Sequence, residues 1–389
     1  MSIDKHAVNH HILSKQHLLR GQKSNSPLEV INDLLALDSN NLINTYFSLH
    51  LRVNGFDERA FEKALYKSAG IVRAKGLKNY IQIIPAGLMP RVYSISKDMR
   101  EDSVNKLLES WNISEDEYRI VRKAIRASLD DKEKTLPQLK NSIPGGIVRD
   151  IEKKKSKKKK EKTTNVAIIA AAMWDRWELL RGGIGAEPAI DPGRYSLPES
   201  RFKGIKLDTD RKTALISLAG RYIKQYGPVT QSDIAWWCGI TENEAAAAIE
   251  SLDTAKIEIE GIEGEFYIDP SDERSIGSGN IESSVILLPR DDPYIKAYNN
   301  RQRFLPSEYE DFTINKFGES ASIVLINGIA WGFWYTATEK WGDVCKVELL
   351  EGYPEVEGLE EMVREAAAGA GAFYTGEKTD VILNNRLLD

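Results

Sequence analysis

The chain has 389 residues, a formal net charge of −5, 42% hydrophobic and 29% charged residues, a globular balance that excludes an intrinsically disordered chain. Only two cysteines occur, Cys238 and Cys345, which excludes a disulfide scaffold or a Cys-rich zinc module and fits a reducing cytoplasm. The first twenty residues hold His6, His10, His11 and His17 but no apolar core, so no signal peptide is expected. Apolar runs such as Val166 to Trp174 fall short of the roughly 20 residues a membrane-spanning helix needs.

Charge is unevenly spread. Residues 271–389 sum to about −10 and residues 1–270 to about +5, with eight lysines against one glutamate between Lys153 and Lys162. Such asymmetry points to a polyanion-facing N-terminal part and an acidic C-terminal part. A solvated, mobile loop with no partner is the plain alternative for the lysine run.

Residues 1–100 read as helices around Leu28–Leu35, Leu42–Val53 and Asp57–Ala69, then a strand at Tyr80–Ile84 stopped by Pro85. In residues 101–205 a capping-box pattern at Ser114–Glu117 starts a helix to Leu129. A short helix follows at Thr135–Ser142, then the lysine-rich loop 153–162 and a helix over Asn165–Leu180. Ile184–Leu197 suits either a two-stranded wing or a loop. Residues 206–270 give helices at Ala214–Gln225, Ile234–Cys238 and Glu242–Leu252, then alternating strands on either side of Gly261–Gly264. Three helices and a hairpin are the order of a winged helix-turn-helix, although the last helix is rich in Ala and Glu rather than Arg. Residues 281–389 turn to β, with strands near Ser284–Leu288, Ser322–Ile326, Ala330–Tyr335, Val344–Leu349 and Thr379–Leu383 and a helix at Leu359–Ala368. A small α+β or barrel-like domain is expected there.

Three stretches carry a resemblance. Arg221-Tyr222, Tyr226-Gly227-Pro228-Val229-Thr230, Asp233-Ile234 and Trp237-Cys238-Gly239 look like an "RYL, YGPAT, DLA, WxG" signature. Leu287-Leu288-Pro289-Arg290, Asp292-Pro293-Tyr294, Tyr298 and Arg301 resemble "LLPxFDPYxxGYxxR", and Asn327-Gly328, Gly332 and Trp334 resemble "DGxxxGxW". In order and spacing these are similar to the winged-helix DNA glycosylases of the crosslink-repair type (YcaQ/AlkZ-like).

The resemblance implies an α+β fold of three tandem winged-helix domains (1–100, 101–205, 206–270) and a C-terminal β-barrel-like domain (281–389). It further implies hydrolysis of the N-glycosidic bond of alkylated or crosslinked purines in duplex DNA, with no metal or organic cofactor, by a cytoplasmic monomer. The family's catalytic Gln-x-Gln or Gln-x-Asp motif stands fourteen residues ahead of an Arg, and counting back from Arg52 lands on Asp38-Ser39-Asn40. An extended backbone puts Asp38 and Asn40 on one side of the chain. Asp38 would then stabilise an oxocarbenium-like sugar and Asn40 hold water, and a cationic base leaves without a strong general acid. The same residues also suit a helix cap.

The family's "RGTLHLVP" strand is Lys78-Asn79-Tyr80-Ile81-Gln82-Ile83-Ile84-Pro85 here, with Gln82 in the His position and Lys78 in the Arg position. These departures open a second reading, a non-catalytic DNA-binding or architectural protein that kept the scaffold. The expected DNA-facing set is Arg52, Lys78, Gln82, Arg301 and Lys153, Lys154, Lys155, Lys157, Lys158, Lys159 and Lys160. His6, His10 and His17 fall at helical spacing but lack the partners of a metal site, and the tryptophan pairs read as core more than as base-stacking platforms.

Overall fold

The computed structural model describes residues 2–130, 132–156, 159–207, 209–277, 282–315, 318–384 and 386–388. The class is mixed α+β, and the chain divides into two compact units, Met1–Phe56 with Leu215–Asp389 and Asp57–Ala214.

In the discontinuous unit, helices at Lys5–Lys15, Pro27–Leu34 and Leu42–Arg52 are each started by a side chain, Asp4, Ser26 and Asn41, that accepts backbone N–H groups of the first turn. The helix Arg211–Tyr226, of which Leu215 onward belongs to this unit, is followed by Gln231–Cys238 and Glu242–Ile249 and by an antiparallel hairpin, Ala255–Ile259 with Ile262–Ile268. Local chemistry explains the punctuation. Thr230 with Asp233 and Thr241 with Glu244 form capping boxes. Gly239 and Gly261 take left-handed backbone, φ 68° and 73°, at the helix end and the hairpin turn. The short strand Ser2–Ile3 adds to the hairpin in parallel, opposite Glu258 and Ile259.

The C-terminal strands form an open six-stranded sheet, not the expected barrel. Its order is Val285–Leu288, Ile323–Ile326, Ile329–Glu339, Gly342–Leu349, Asp380–Leu383 and Arg386–Leu388, so the first and last strands stay at opposite edges. Alternation within strands is blind to closure, and here the helix Leu359–Thr375 instead serves as the crossover that lets Asp380–Leu383 run parallel to Gly342–Leu349. That helix contributes Val363, Ala367 and Ala370 to a core with Leu287, Val324, Trp334 and Val347. Phe47 from the N-terminal helix Leu42–Arg52 joins the same core, its ring 5.6 Å from Trp334 and 5.1 Å from Phe373.

The second unit is helical at its centre. Helices Met89–Ser110, Glu115–Leu129, Leu136–Ser142 and Asn165–Asp175 surround a core that includes Val104, Trp111, Val121, Ile125, Ile169 and Met173. The 22-residue helix Met89–Ser110 was not expected; Pro90 sits in its first turn, where no N–H is needed. Strand Ile71–Lys75, also unexpected, pairs antiparallel with Ile81–Pro85. Leu180–Arg181, Arg194–Ser196 and Lys134–Thr135 make a small three-stranded sheet, so Ile184–Leu197 is neither a self-contained wing nor wholly loop. The lysine run is not a plain loop. Asp150–Ser156 and Lys159–Thr164 pair as an antiparallel hairpin, Lys153 opposite Glu161 and Lys154 opposite Lys160. Among the described residues no helix is long and apolar enough to cross a membrane.

Candidate functional site

Asp38 ends the short strand Leu37–Asp38, and Asn40 lies in the turn between it and the helix Leu42–Arg52. The capping work at that helix falls to Asn41, whose Oδ1 accepts the N–H groups of Ile43 and Asn44 at 3.1 and 3.4 Å. Asp38 and Asn40 are thereby released from capping and brought together. Asp38 Oδ1 accepts from the Asn40 backbone N–H at 3.1 Å and from Asn40 Nδ2 at 2.9 Å. Thr45 Oγ1 donates to the Asp38 carbonyl at 2.9 Å, which ties the turn to the helix.

The other carboxylate oxygen meets a residue that sequence reasoning missed. Lys296 Nζ lies 3.3 Å from Asp38 Oδ2 and 3.1 Å from Asp291 Oδ1, with Lys296 only 11% and Asp38 10% exposed. Burial raises the Asp38 carboxyl above the ordinary aspartate value, and Lys296 is the principal opposing influence. The signal for Lys296 was its place inside the Asp292-to-Arg301 motif, one turn past the cap of a four-residue helix, Pro293–Lys296.

The residues that carried the resemblance build the bed under that turn. Asp233 Oδ1 accepts the backbone N–H groups of Asn299 and Asn300, each at 2.7 Å. The Tyr222 hydroxyl donates to the Ala297 carbonyl at 2.6 Å and Tyr298 to the Tyr226 carbonyl at 2.8 Å. Trp236 Nε1 donates to the Lys296 carbonyl itself at 3.0 Å. Three fully buried tyrosines and a buried aspartate thus hold the segment that delivers Lys296 to Asp38.

The expected DNA-facing residues separate into two groups. Arg52 requires correction: it is fully buried, its two terminal nitrogens donating to the two Asp292 oxygens at 2.8 and 2.7 Å, with Ser48 Oγ also on Asp292 at 2.6 Å. A buried carboxylate has captured the fork that a phosphate would have used. Gln82 is likewise buried, its Oε1 accepting the Leu77 N–H at 2.9 Å, so its amide oxygen fixes a tight turn. Arg301 is 8% exposed, its guanidinium 5.5 Å from the Trp236 ring and 3.6 Å from Glu310; burial lowers its pKa.

Lys78 is half-buried, 5.3 Å over the Tyr80 ring. In the hairpin, Lys154 is exposed, Lys160 is exposed beside Glu152, and Lys153 lies half-buried 4.3 Å over the Trp111 ring. Lys155 and Lys159 belong to its strands, and Lys157 and Lys158 lie outside the described residues. Of the N-terminal histidines, His17 bonds Asp33 at 2.9 Å, which raises its pKa.

A separate cleft of about 680 Å³ in the discontinuous unit is lined by Lys23, His50, Val285 and Met362 and excludes Asp38 and Asn40. Burial, and then the charge of Lys23, hold His50 below its ordinary pKa.

No curated protein sequence matches the chain. A family model described as "DNA glycosylase AlkZ-like" matches residues 31–373. The solved structure of the Streptomyces sahachiroi DNA glycosylase AlkZ is similar in fold, with a TM-score of 0.72 over 98% of this chain and 100% of that one at 12% identity. At that identity the likeness speaks to the fold, and the family assignment rests on the sequence match over most of the chain: the protein belongs to the AlkZ-like DNA glycosylase family.

Proposed function

We propose that the protein binds duplex DNA and hydrolyses the N-glycosidic bond of alkylated or crosslinked purines, with Asp38 and Asn40 as the catalytic pair. The observation that carries this reading is the largely buried Asp38 carboxylate, bonded to Asn40 while Asn41 does the capping. As the C1′–N bond breaks, its electron pair discharges the cationic base and positive charge develops on the sugar. A fixed carboxylate in a site of low dielectric opposes that charge without reorganising. The Asn40 amide, its nitrogen on Asp38, leaves Oδ1 to orient the water that adds to C1′ and releases a proton. No metal or organic cofactor enters this scheme.

The lysine hairpin is the proposed phosphate contact, through Lys153, Lys154, Lys155 and Lys157 to Lys160. The element orders of residues 1–100, 101–205 and 206–270 support a reading as three winged-helix segments, with 281–389 as the sheet-bearing remainder. A second reading, a DNA-binding scaffold without chemistry, draws on Gln82 and Arg52, of which the Gln82 amide oxygen and the two terminal nitrogens of Arg52 are bonded inside the protein.

Base release from methylated and from nitrogen-mustard-crosslinked duplexes, followed beside binding in the same tubes, tests both. Asp38→Ala is expected to lower release by about 10²- to 10³-fold with binding intact. Salt-sensitive binding by the wild type with no abasic product would leave the scaffold reading.

A further inference from the structure

Two carboxylates share one ammonium beside the turn that holds Asn40. Lys296 Nζ stands 3.3 Å from Asp38 and 3.1 Å from Asp291, and among the described residues Lys296 and Asp291 are the charged groups that act on Asp38. Its other neighbours in the turn and the following helix, Asn40 and Thr45, are neutral. All three charged groups are held. Asp291 exchanges bonds with Ser320, its N–H donating to Ser320 Oγ at 2.7 Å and its Oδ1 accepting the Ser320 N–H at 3.0 Å. Its left-handed backbone, φ 63°, is one that aspartate and asparagine tolerate. The Lys296 backbone is pinned by Trp236.

We infer that Lys296 and Asp291 are positioning residues that act as opposed electrostatic partners of Asp38, Lys296 keeping its carboxylate ionised and aimed while Asp291 consumes half of the lysine's charge so that the cluster stays net negative. This rests on the assignment of Asp38 as the catalytic carboxylate. A buried aspartate alone would take up a proton and lose its charge. An aspartate paired with a lysine of its own would be neutralised and offer little to a sugar cation. With two carboxylates on one ammonium, one net negative charge remains to be met by the cation that forms at C1′. The same balance favours a substrate whose base is already positively charged over a neutral purine.

The two partners therefore predict opposite shifts. In Lys296→Met the acidic limb of the pH–rate profile moves up by about 1 unit or more, the ordinary effect of losing an opposite charge at this distance. In Asp291→Asn the limb moves down and the plateau rate falls, because Asp38 and Lys296 become a neutral pair. Lys296→Arg restores the wild-type limb.

If the wild type releases no base, the catalytic assignment of Asp38 fails by itself. The electrostatic claim is then read from the ¹³Cγ titration of Asp38 in aspartate-labelled wild-type and variant proteins, with the same opposed shifts expected. A limb, or in the inactive case a titration midpoint, that does not move in Lys296→Met and Asp291→Asn overturns the inference. So does a Lys296–DNA adduct trapped with borohydride, since a lysine that attacks C1′ must first leave both carboxylates.

Discussion

The buried pair of Arg52 and Asp292 offers the sharpest test of how this chain uses its charges. Both side chains are fully buried, and the bidentate contact of 2.7 and 2.8 Å is supplemented by Ser48 Oγ and by Gln16 Oε1 at 3.4 Å. Asp292→Ala removes the partner of a guanidinium that cannot reach water, a change that costs about 3–5 kcal/mol. Asp292 also accepts the Tyr294 N–H at 3.0 Å, so its loss uncaps the segment carrying Lys296 and adds about 1 kcal/mol. At about 2–4 °C per kcal/mol for a unit of this size, the melting temperature should fall by about 10–20 °C. Replacing both residues with apolar ones, Arg52→Met with Asp292→Leu, should cost less than the sum of the single changes, because neither charge is left stranded.

Urea denaturation followed by tryptophan fluorescence gives the stabilities, and DNA affinity against salt concentration is measured on the variants that remain folded. Folded Arg52→Met should bind DNA with an unchanged salt slope. A variant within about 0.5 kcal/mol of wild type whose salt slope drops by about 1 would refute the reasoning and return Arg52 to the phosphate-binding set.

Two further outcomes follow from the same logic. Because burial raises the Asp38 carboxyl, the native state holds that proton more tightly than the unfolded chain, and the ionised group lowers stability as pH rises through the unfolded and then the native pKa. Asp38→Asn, which leaves Lys296 with Asp291, should therefore gain stability over wild type from about pH 4 upward and show no gain below it; equal denaturation midpoints across that range would count against the burial argument. Gln82→Leu should strand the Leu77 N–H and cost about 1–3 kcal/mol in denaturant titrations, with no change in the salt dependence of DNA binding, whereas a weaker slope would mark Gln82 as a ligand contact.

Local rules carried far along this chain. The caps at Thr230 and Thr241, the turn at Gly261 and the alternation of Ile257 and Ile259 are written within a few residues of where they act, so the three helices and hairpin of residues 211–268 were legible in order. The same holds for the strands after residue 284 and for the one-residue spacing that brings Asp38 to Asn40. Local rules misled where composition was ambiguous: the lysine run read as a loop, yet its described residues pair as an antiparallel hairpin, and the 22-residue helix Met89–Ser110 was not expected.

What tertiary structure alone decided are the partners of the charges. Asp38 meets Lys296 across 258 positions and Arg52 meets Asp292 across 240. Nothing near either residue announces the contact, because a carboxylate or guanidinium is equally content with water, phosphate or a distant ion of opposite sign. The sequence by itself determined which groups are chemically able and how adjacent ones are spaced. Packing of the N-terminal helix, through Phe47, into the core of the C-terminal sheet decided which of those groups leave water and whom they face there, since only burial makes the choice of partner cost or yield free energy.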